Sequence, residues 1–378
     1  MKQTARIIST YSADVFGVCS ALFELGGMTV MHDASGCNST YSTHDEPRWY
    51  DMDSMVYISA ISELEAVMGD DEKLIGDICA AAQDLKPKFI AIAGTPIPTM
   101  IGFDFDAVAS LIEQRTGIPA FGFPTTGMNT YIHGASMALR GIADRFVHPS
   151  DQIQNGVNVL GLTPLDFSVN GSDRSICAFL EQNGFHVVSR WAMGSNLDEL
   201  SRAARARVNL VVSGAGLGAA ELLKERFGIP GVVGLPIGVK QAGRLADALR
   251  LAATTGEDRI LHTEGTGGKI AVVGEGITSL ALANALFLET GRPARVLCAT
   301  ECPAGILRAC DAMTPDEDDV IAALKDADTV IADPMYRPIC PPEARFIPLP
   351  TEAFSGRIYR AQIPDLIADP QSILKEVV

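Results

Sequence analysis

Residues 111–124, LIEQRTGIPAFGFP, decide the fold. An amphipathic helical run stops at Gly117, proline follows two residues later, and a short apolar segment begins. Glycine supplies the left-handed stop, and proline keeps the helix from resuming. The phrase returns twice, as LLKERFGIPGVVGLP at 222–236 and as LFLETGRPARVLC at 286–298, with stops at Gly228 and Gly291. Helices that end this way and feed buried apolar strands belong to alternating α/β architecture with parallel sheets. A second phrase recurs at nearly equal spacing: the apolar runs KFIAIAG (88–94), VNLVVSG (208–214) and DTVIAD (328–333) deliver Thr95, Ser213 and Asp333 to loops. The chain therefore reads as three Rossmann-like domains with parallel sheets around a central cleft. The boundaries fall at 1–150, 151–264 and 265–378, the last including a C-terminal tail. Breaks are expected at His148-Pro149-Ser150 and in the glycine-rich linker 263–268. In open parallel sheets, ligands sit beyond the carboxyl ends of the strands, so the loops around Cys37, Thr95, Ser213 and Asp333 should line that cleft.

Composition agrees. The chain has 378 residues, of which 47% are hydrophobic and 20% charged, too long for one core and too apolar for disorder. A net charge of −16 disfavours phosphate binding by the bulk surface and sets nucleic acid aside as a partner. No run of ~18 apolar residues suggests a membrane span, and the first residues show no signal-peptide pattern. Eight cysteines are scattered without a CxxC pair, which fits neither a disulfide framework nor a zinc ribbon and points to the reducing cytoplasm.

Chemistry concentrates in residues 26–37, GGMTVMHDASGC. A helix over Asp14–Leu25 stops at Gly26 or Gly27, an apolar strand follows, and a small-residue loop carries His32 and Cys37. Cys37 has two readings: a half-buried strand-end thiol, or a thiolate ligand of an iron–sulfur cluster, which needs about four such ligands. His32 is either a structural histidine or a proton donor. Downstream, His44 and Arg48 belong either to a solvated loop or to a substrate-carboxylate site. The turns Gly214–Gly218 and Gly274–Gly276 follow apolar strands and open helices, yet neither completes a dinucleotide fingerprint, so tight structural turns are the better reading. Cys298, Cys302, Cys310 and Cys340 share the last domain without a defensible ligand spacing. Cys302 is expected to start a helix and to approach Cys340 at the sheet edge, while Cys79 and Cys177 read as core.

Two of these segments carry a resemblance. GGMTVMHDASGCNSTYSTH (26–44) resembles the apolar strand and H-G-x-x-G-C loop of the nitrogenase component 1 family, with Asp33 in place of a glycine. KFIAIAGTPIPTMIGFDFDAV (88–108) is similar to its strand, ligand loop and I-G-D-D segment, with Phe103 interrupting the acidic pair. The departures are specific. Cys37 matches the middle of three cluster cysteines; the first would fall near Tyr11 or Ser12, and the third at Thr95. The position that anchors the molybdenum cofactor holds Ser213, so no iron–molybdenum cofactor is expected. The resemblance implies a subunit that contributes Cys37 to a [4Fe–4S] cluster at an interface with a second copy or a homologous subunit. It further implies electrons from an ATP-dependent iron–sulfur reductase and a tetrapyrrole or other small substrate. His32 and His44 are the implied proton donors, and Asp33, Ser35, Thr95 and Ser213 join Cys37 as cofactor-binding candidates. The alternatives are a non-catalytic metallocofactor scaffold or carrier and an independent NAD(P)-binding enzyme.

Overall fold

The computed structural model describes residues 5–34, 36–263 and 267–377, with the backbone alone at Cys37, Ser42 and Thr43. Among the described residues fourteen strands form three sheets, and every pairing within them is parallel. The first holds β1 (Met28–Met31), β2 (Met55–Ile58), β3 (Ile90–Ala93) and β4 (Ala120–Phe123) in the order β2-β1-β3-β4. The second holds β5 (Gly156–Leu160), β6 (His186–Arg190), β7 (Val208–Val211), β8 (Gly231–Val233) and β9 (Arg259–Ile260) in the order β6-β5-β7-β8-β9. The third holds β10 (Ile270–Gly274), β11 (Ala294–Cys298), β12 (Ala312–Met313), β13 (Thr329–Ala332) and β14 (Arg345–Pro348) in the order β12-β11-β10-β13-β14. Each order reverses once, between β1 and β3, β5 and β7, and β10 and β13, and crevices open at such switch points.

The recurring phrase does what its chemistry demands. Gly117, Gly228 and Gly291 each end a helix at φ of 71°, 68° and 74°, a left-handed conformation that costs glycine little. Side chains on β3 alternate with period two: Ala91 and Ala93 join the large core, whereas Ile90 and Ile92 pack with Leu74, Ile75, Val108 and Ile112 on the opposite face. Both faces of the first sheet are thus covered, as a parallel sheet requires.

The first helix, Asp14–Leu22, is shorter than its apolar pattern suggests, and the chain turns before Gly26. It crosses the Tyr131–Phe146 helix backbone to backbone. A β-carbon on Gly17 would strike the carbonyl of Tyr131, and one on Gly134 would strike that of Asp14. Asp14 is fully buried and accepts hydrogen bonds from the amides of Thr126 and Gly127 at 3.0 and 2.8 Å, which fixes the loop entering the longer helix. The division at 150/151 falls between β4 and β5. Glu264, Gly265 and Thr266, at the other expected break, lie outside the described residues. Among the described residues no helix is long and apolar enough to cross a membrane.

Candidate functional site

The first switch point carries the predicted cluster loop. β1 ends at Met31, and the His32 amide still pairs with Ala93 O at 2.9 Å, so the next residues leave from the sheet's carboxyl edge. Asp33, nearly buried, organises them. Its carboxylate accepts from Asn38 Nδ2 at 2.6 Å and from Thr95 Oγ1 at 2.9 Å, and its carbonyl accepts from Ile61 N at 2.9 Å. Thr95 also lies 2.9 Å from His32 O. Its single proton is shared between two acceptors, which turns the hydroxyl inward. Thr95 therefore braces the loop from the position where the resemblance places a cysteine.

His32 is buried against the Phe103 ring, at a centroid distance of 4.5 Å, and its Nδ1 lies 2.8 Å from Ser59 Oγ. Burial pushes its pKa down to about 4, opposed by the nearby Asp33 and Glu65 carboxylates. At neutral pH the ring is uncharged. Beyond Asp33, Ala34 is exposed, and so are Gly36, Ser39 and Thr40 of the short Gly36–Thr40 helix, whose Asn38 is buried. The Cys37 side chain and all of Ser35 lie outside the described residues.

The 41–49 segment departs from the sequence reading. Tyr41–Asp45 is a π-helical turn, and His44 is exposed with Nδ1 2.8 Å from Tyr50 Oη. Arg48 neither orients a substrate carboxylate nor sits in a solvated loop. It is buried, donating to Glu46 Oε1 at 2.7 Å, Glu24 Oε1 at 2.9 Å and Ser20 O at 2.8 Å, with Ala192 O at 3.0 Å. Two carboxylates and two carbonyls consume its donors.

The second switch point is closed by its own side chains. Ser213 is fully buried and donates to Gly161 O at 2.8 Å, within the edge of the second sheet. Beside it, Asp166 accepts from the Tyr131 hydroxyl and from Thr163 Oγ1 at 2.7 Å. Burial, and then the Glu275 carboxylate, raise the Asp166 pKa to about 7; burial likewise raises that of Glu275. Glu275 caps the Gly276–Thr290 helix through Thr278 N at 2.8 Å and also accepts from Gly214 N at 3.0 Å. Amides of the Gly214 turn and of the start of the Gly276–Thr290 helix thus both point at the Glu275 carboxylate, an internal anion where a phosphate would otherwise be favoured. The adjoining cavity, lined by Asp166, Leu235, Thr278, Leu349 and Thr351 among others, measures about 40 Å³. With roughly 10–15 Å³ needed to admit one water, this leaves room for no more than a few. At the third switch point Asp333 is likewise spent on local bonds, to Met335 N, Thr351 N and Ser355 Oγ.

The late cysteines are arranged differently from expectation. Cys302 lies in the loop after β11 rather than starting a helix, and its thiol meets Cys298, while Cys340 donates to Tyr336 O at 3.3 Å. Cys79 and Cys177 are partly exposed. Among the described residues no three His, Cys, Asp or Glu side chains converge as a metal site. Sequence reading missed Asp166, Tyr131 and Glu275. The available signal was Thr163-Pro164-Leu165-Asp166, a helix-start pattern with an acid three residues after the cap.

Comparison with known proteins agrees with this architecture. The profile described as Nitrogenase component 1 type Oxidoreductase matches residues 15–322. The chain is 26% identical over 241 residues to nitrogenase iron-molybdenum cofactor biosynthesis protein NifE of Clostridium pasteurianum, covering 60% of this chain and 51% of that protein. It is 27% identical over 190 residues to one of the subunits of light-independent protochlorophyllide reductase from Prosthecochloris aestuarii, covering 48% and 34% respectively. The chain thus spans about half or less of the length of the curated relatives it matches. A solved structure, "Nitrogenase Cp1 at pH 6.5", superimposes with a TM-score of 0.72 at 16% identity, covering 100% of this chain and 93% of that one. The three-sheet fold is shared with that structure, and with a family profile spanning most of its length the chain belongs to the nitrogenase component 1 type oxidoreductases.

Proposed function

We propose that this chain is one subunit of a nitrogenase-like reductase assembly and contributes Cys37 to an iron–sulfur cluster shared with a second, homologous or identical, subunit. The observation that carries this reading is the braced loop at the first switch point. Asp33 and Thr95 spend buried hydrogen bonds to hold a segment whose following residues are exposed. Ordering a loop costs roughly 1–2 kcal/mol per residue, so such bracing suits a segment that must present a group in one place. An apolar face lies beside it. The Glu63–Met68 and Pro96–Ile101 helices pack together and expose Leu64, Val67, Met68, Met100 and Ile101. A covering subunit accounts for that surface.

The residues of one chain do not complete a [4Fe–4S] ligand set. Among the described residues Thr95 and Ser213 are committed to internal bonds, so Cys37 is the thiolate this chain would offer. A homologous partner would supply the rest of the roughly four ligands, whereas an identical one would add a second Cys37 and leave about two to be found elsewhere. A bound cluster would supply single-electron transfer, fed in this reading by an ATP-dependent iron–sulfur reductase. The chain's own part is to hold the loop, to keep His32 neutral, and to place exposed His44 near the seam as a proton source for a small substrate, a tetrapyrrole among the candidates. The likeness to NifE favours a second reading, a carrier that holds a metallocofactor without turnover. The Glu275 plug gives no support to an independent NAD(P)-binding enzyme.

Anaerobic affinity purification of the full chain from its native cells, with iron, sulfide and mass analysis, tests the proposal. Iron and sulfide in a multi-chain assembly, both lost with Cys37→Ser, are the expected result. An iron-free monomer, or iron content unchanged by Cys37→Ser, overturns it. ATP-dependent reduction of a substrate by the purified assembly selects the reductase over the carrier.

A further inference from the structure

Cys298 ends β11, the strand between β12 and β10 in the third sheet, and is fully buried; Cys302 lies four residues on and is partly exposed. The two sulfurs converge on Gly276, the first residue of the Gly276–Thr290 helix. A β-carbon there would lie 2.9 Å from Cys302 Sγ and 3.2 Å from Cys298 Sγ. The missing side chain is what makes room for both. We propose that Cys298 and Cys302 are a reversible thiol-oxidation site that closes to an intramolecular disulfide on reaction with a small dialkyl disulfide.

The chemistry divides between a reachable thiol and a buried one. Cys302 attacks the disulfide RSSR; its S–S bond breaks, a Cys302–S–SR bond forms, and the first RS⁻ leaves with the Cys302 proton as RSH. Cys298 then attacks the Cys302 sulfur and expels the second RS⁻, which takes the Cys298 proton. Two protein thiols are oxidised and one RSSR is reduced to two RSH. Cys298 suits the second step. The contact between the two thiols lowers the Cys298 pKa, against burial and Glu275, and raises that of Cys302, so the second attack is the better activated of the two; the N-terminus of a four-turn helix adjoins Cys298.

Closure would act at a junction. Glu301, inside the same short loop, accepts from Thr130 N at 2.9 Å and from the Thr130 hydroxyl, and so holds the third sheet's loop onto the start of the Tyr131–Phe146 helix. Drawing Cys302 toward Cys298 pulls on that latch, so oxidation at the third sheet is transmitted to the helix that carries Tyr131.

Trypsin should release both thiols in one peptide, Val296–Arg308, which contains no other cysteine. The full chain is incubated anaerobically with glutathione disulfide, quenched with N-ethylmaleimide and digested. The expected peptide is two hydrogens lighter, carries no maleimide, and becomes doubly alkylated after dithiothreitol. Cys298→Ser should trap a stable glutathione adduct on Cys302, and Cys302→Ser should leave Cys298 without an adduct. A persistent glutathione adduct on the unmutated chain, or a peptide still doubly alkylated after the oxidant, overturns the proposal whatever the folding of either variant.

Discussion

At the carboxyl edge of the first sheet, Asp33 and Thr95 hold a loop that runs outward through Ala34 and Gly36; at that edge of the second, Tyr131, Thr163 and Glu275 close over Asp166. Strand order around the two switch points is the same, and both would be crevices on topology alone. The difference lies in which side chains end the loops. Short hydroxyls and an aspartate that face inward leave the first edge free to present its loop. A tyrosine and two carboxylates fill the second. A switch point is therefore an opportunity for a site, and the polar residues beyond the strands decide whether it stays open.

The comparison can be broken most forcefully at the base of the open edge. Arg48→Leu removes the cation that pairs Glu24 with Glu46 and leaves two buried carboxylates uncompensated, a loss of about 3–5 kcal/mol. Urea denaturation should show it. A variant within about 1 kcal/mol of the parent would remove Arg48 from the structural account.

The closed edge should reveal itself through pH. Asp166 keeps its proton up to about pH 7 in the folded chain, whereas an unfolded aspartate loses it near pH 4. Between those values the folded state binds more protons, so this group's contribution to stability falls as pH rises and levels off above 7. Asp166→Asn should remove that decline, on the order of 1–3 kcal/mol between pH 4.5 and 7.5 by urea midpoint. His32 acts in the opposite sense: neutral down to about pH 4 when folded, it costs stability as pH falls below the usual 6.5. An unchanged slope in Asp166→Asn would mean the carboxyl is solvated.

The smallest effect tests the brace. Thr95→Val preserves shape and removes the hydroxyl shared by His32 O and Asp33, at a cost of about 1 kcal/mol with faster amide exchange confined to the 32–40 loop. Exchange unchanged there would show that the loop is held by the remaining bonds of Asp33, to Asn38, Ile61 and Ser59.

Three helix-stop phrases made the architecture legible in the sequence, because a left-handed glycine, a following proline and an apolar run are local events. The neighbourhood of His32, Asp33 and Thr95 followed from strand ends lying side by side. Arg48 was misread because its partners Ser20, Glu24 and Ala192 are remote in sequence, and a buried cation looks like an exposed one until its carboxylates are located. Asp166 and Glu275 hid for a related reason: each sits at a helix start, where an acid is ordinary. Only the third dimension shows that they face each other.

The crossing at Gly17 and Gly134 ties the two edges together. One helix leads into β1 and the loop beyond it; the other begins with the tyrosine that holds Asp166. With carbonyls seated where side chains would stand, the pair works as a weld rather than a bearing. A push delivered to the outer loop should travel inward as rigid displacement, reaching the proton on Asp166 before any packed side chain has yielded.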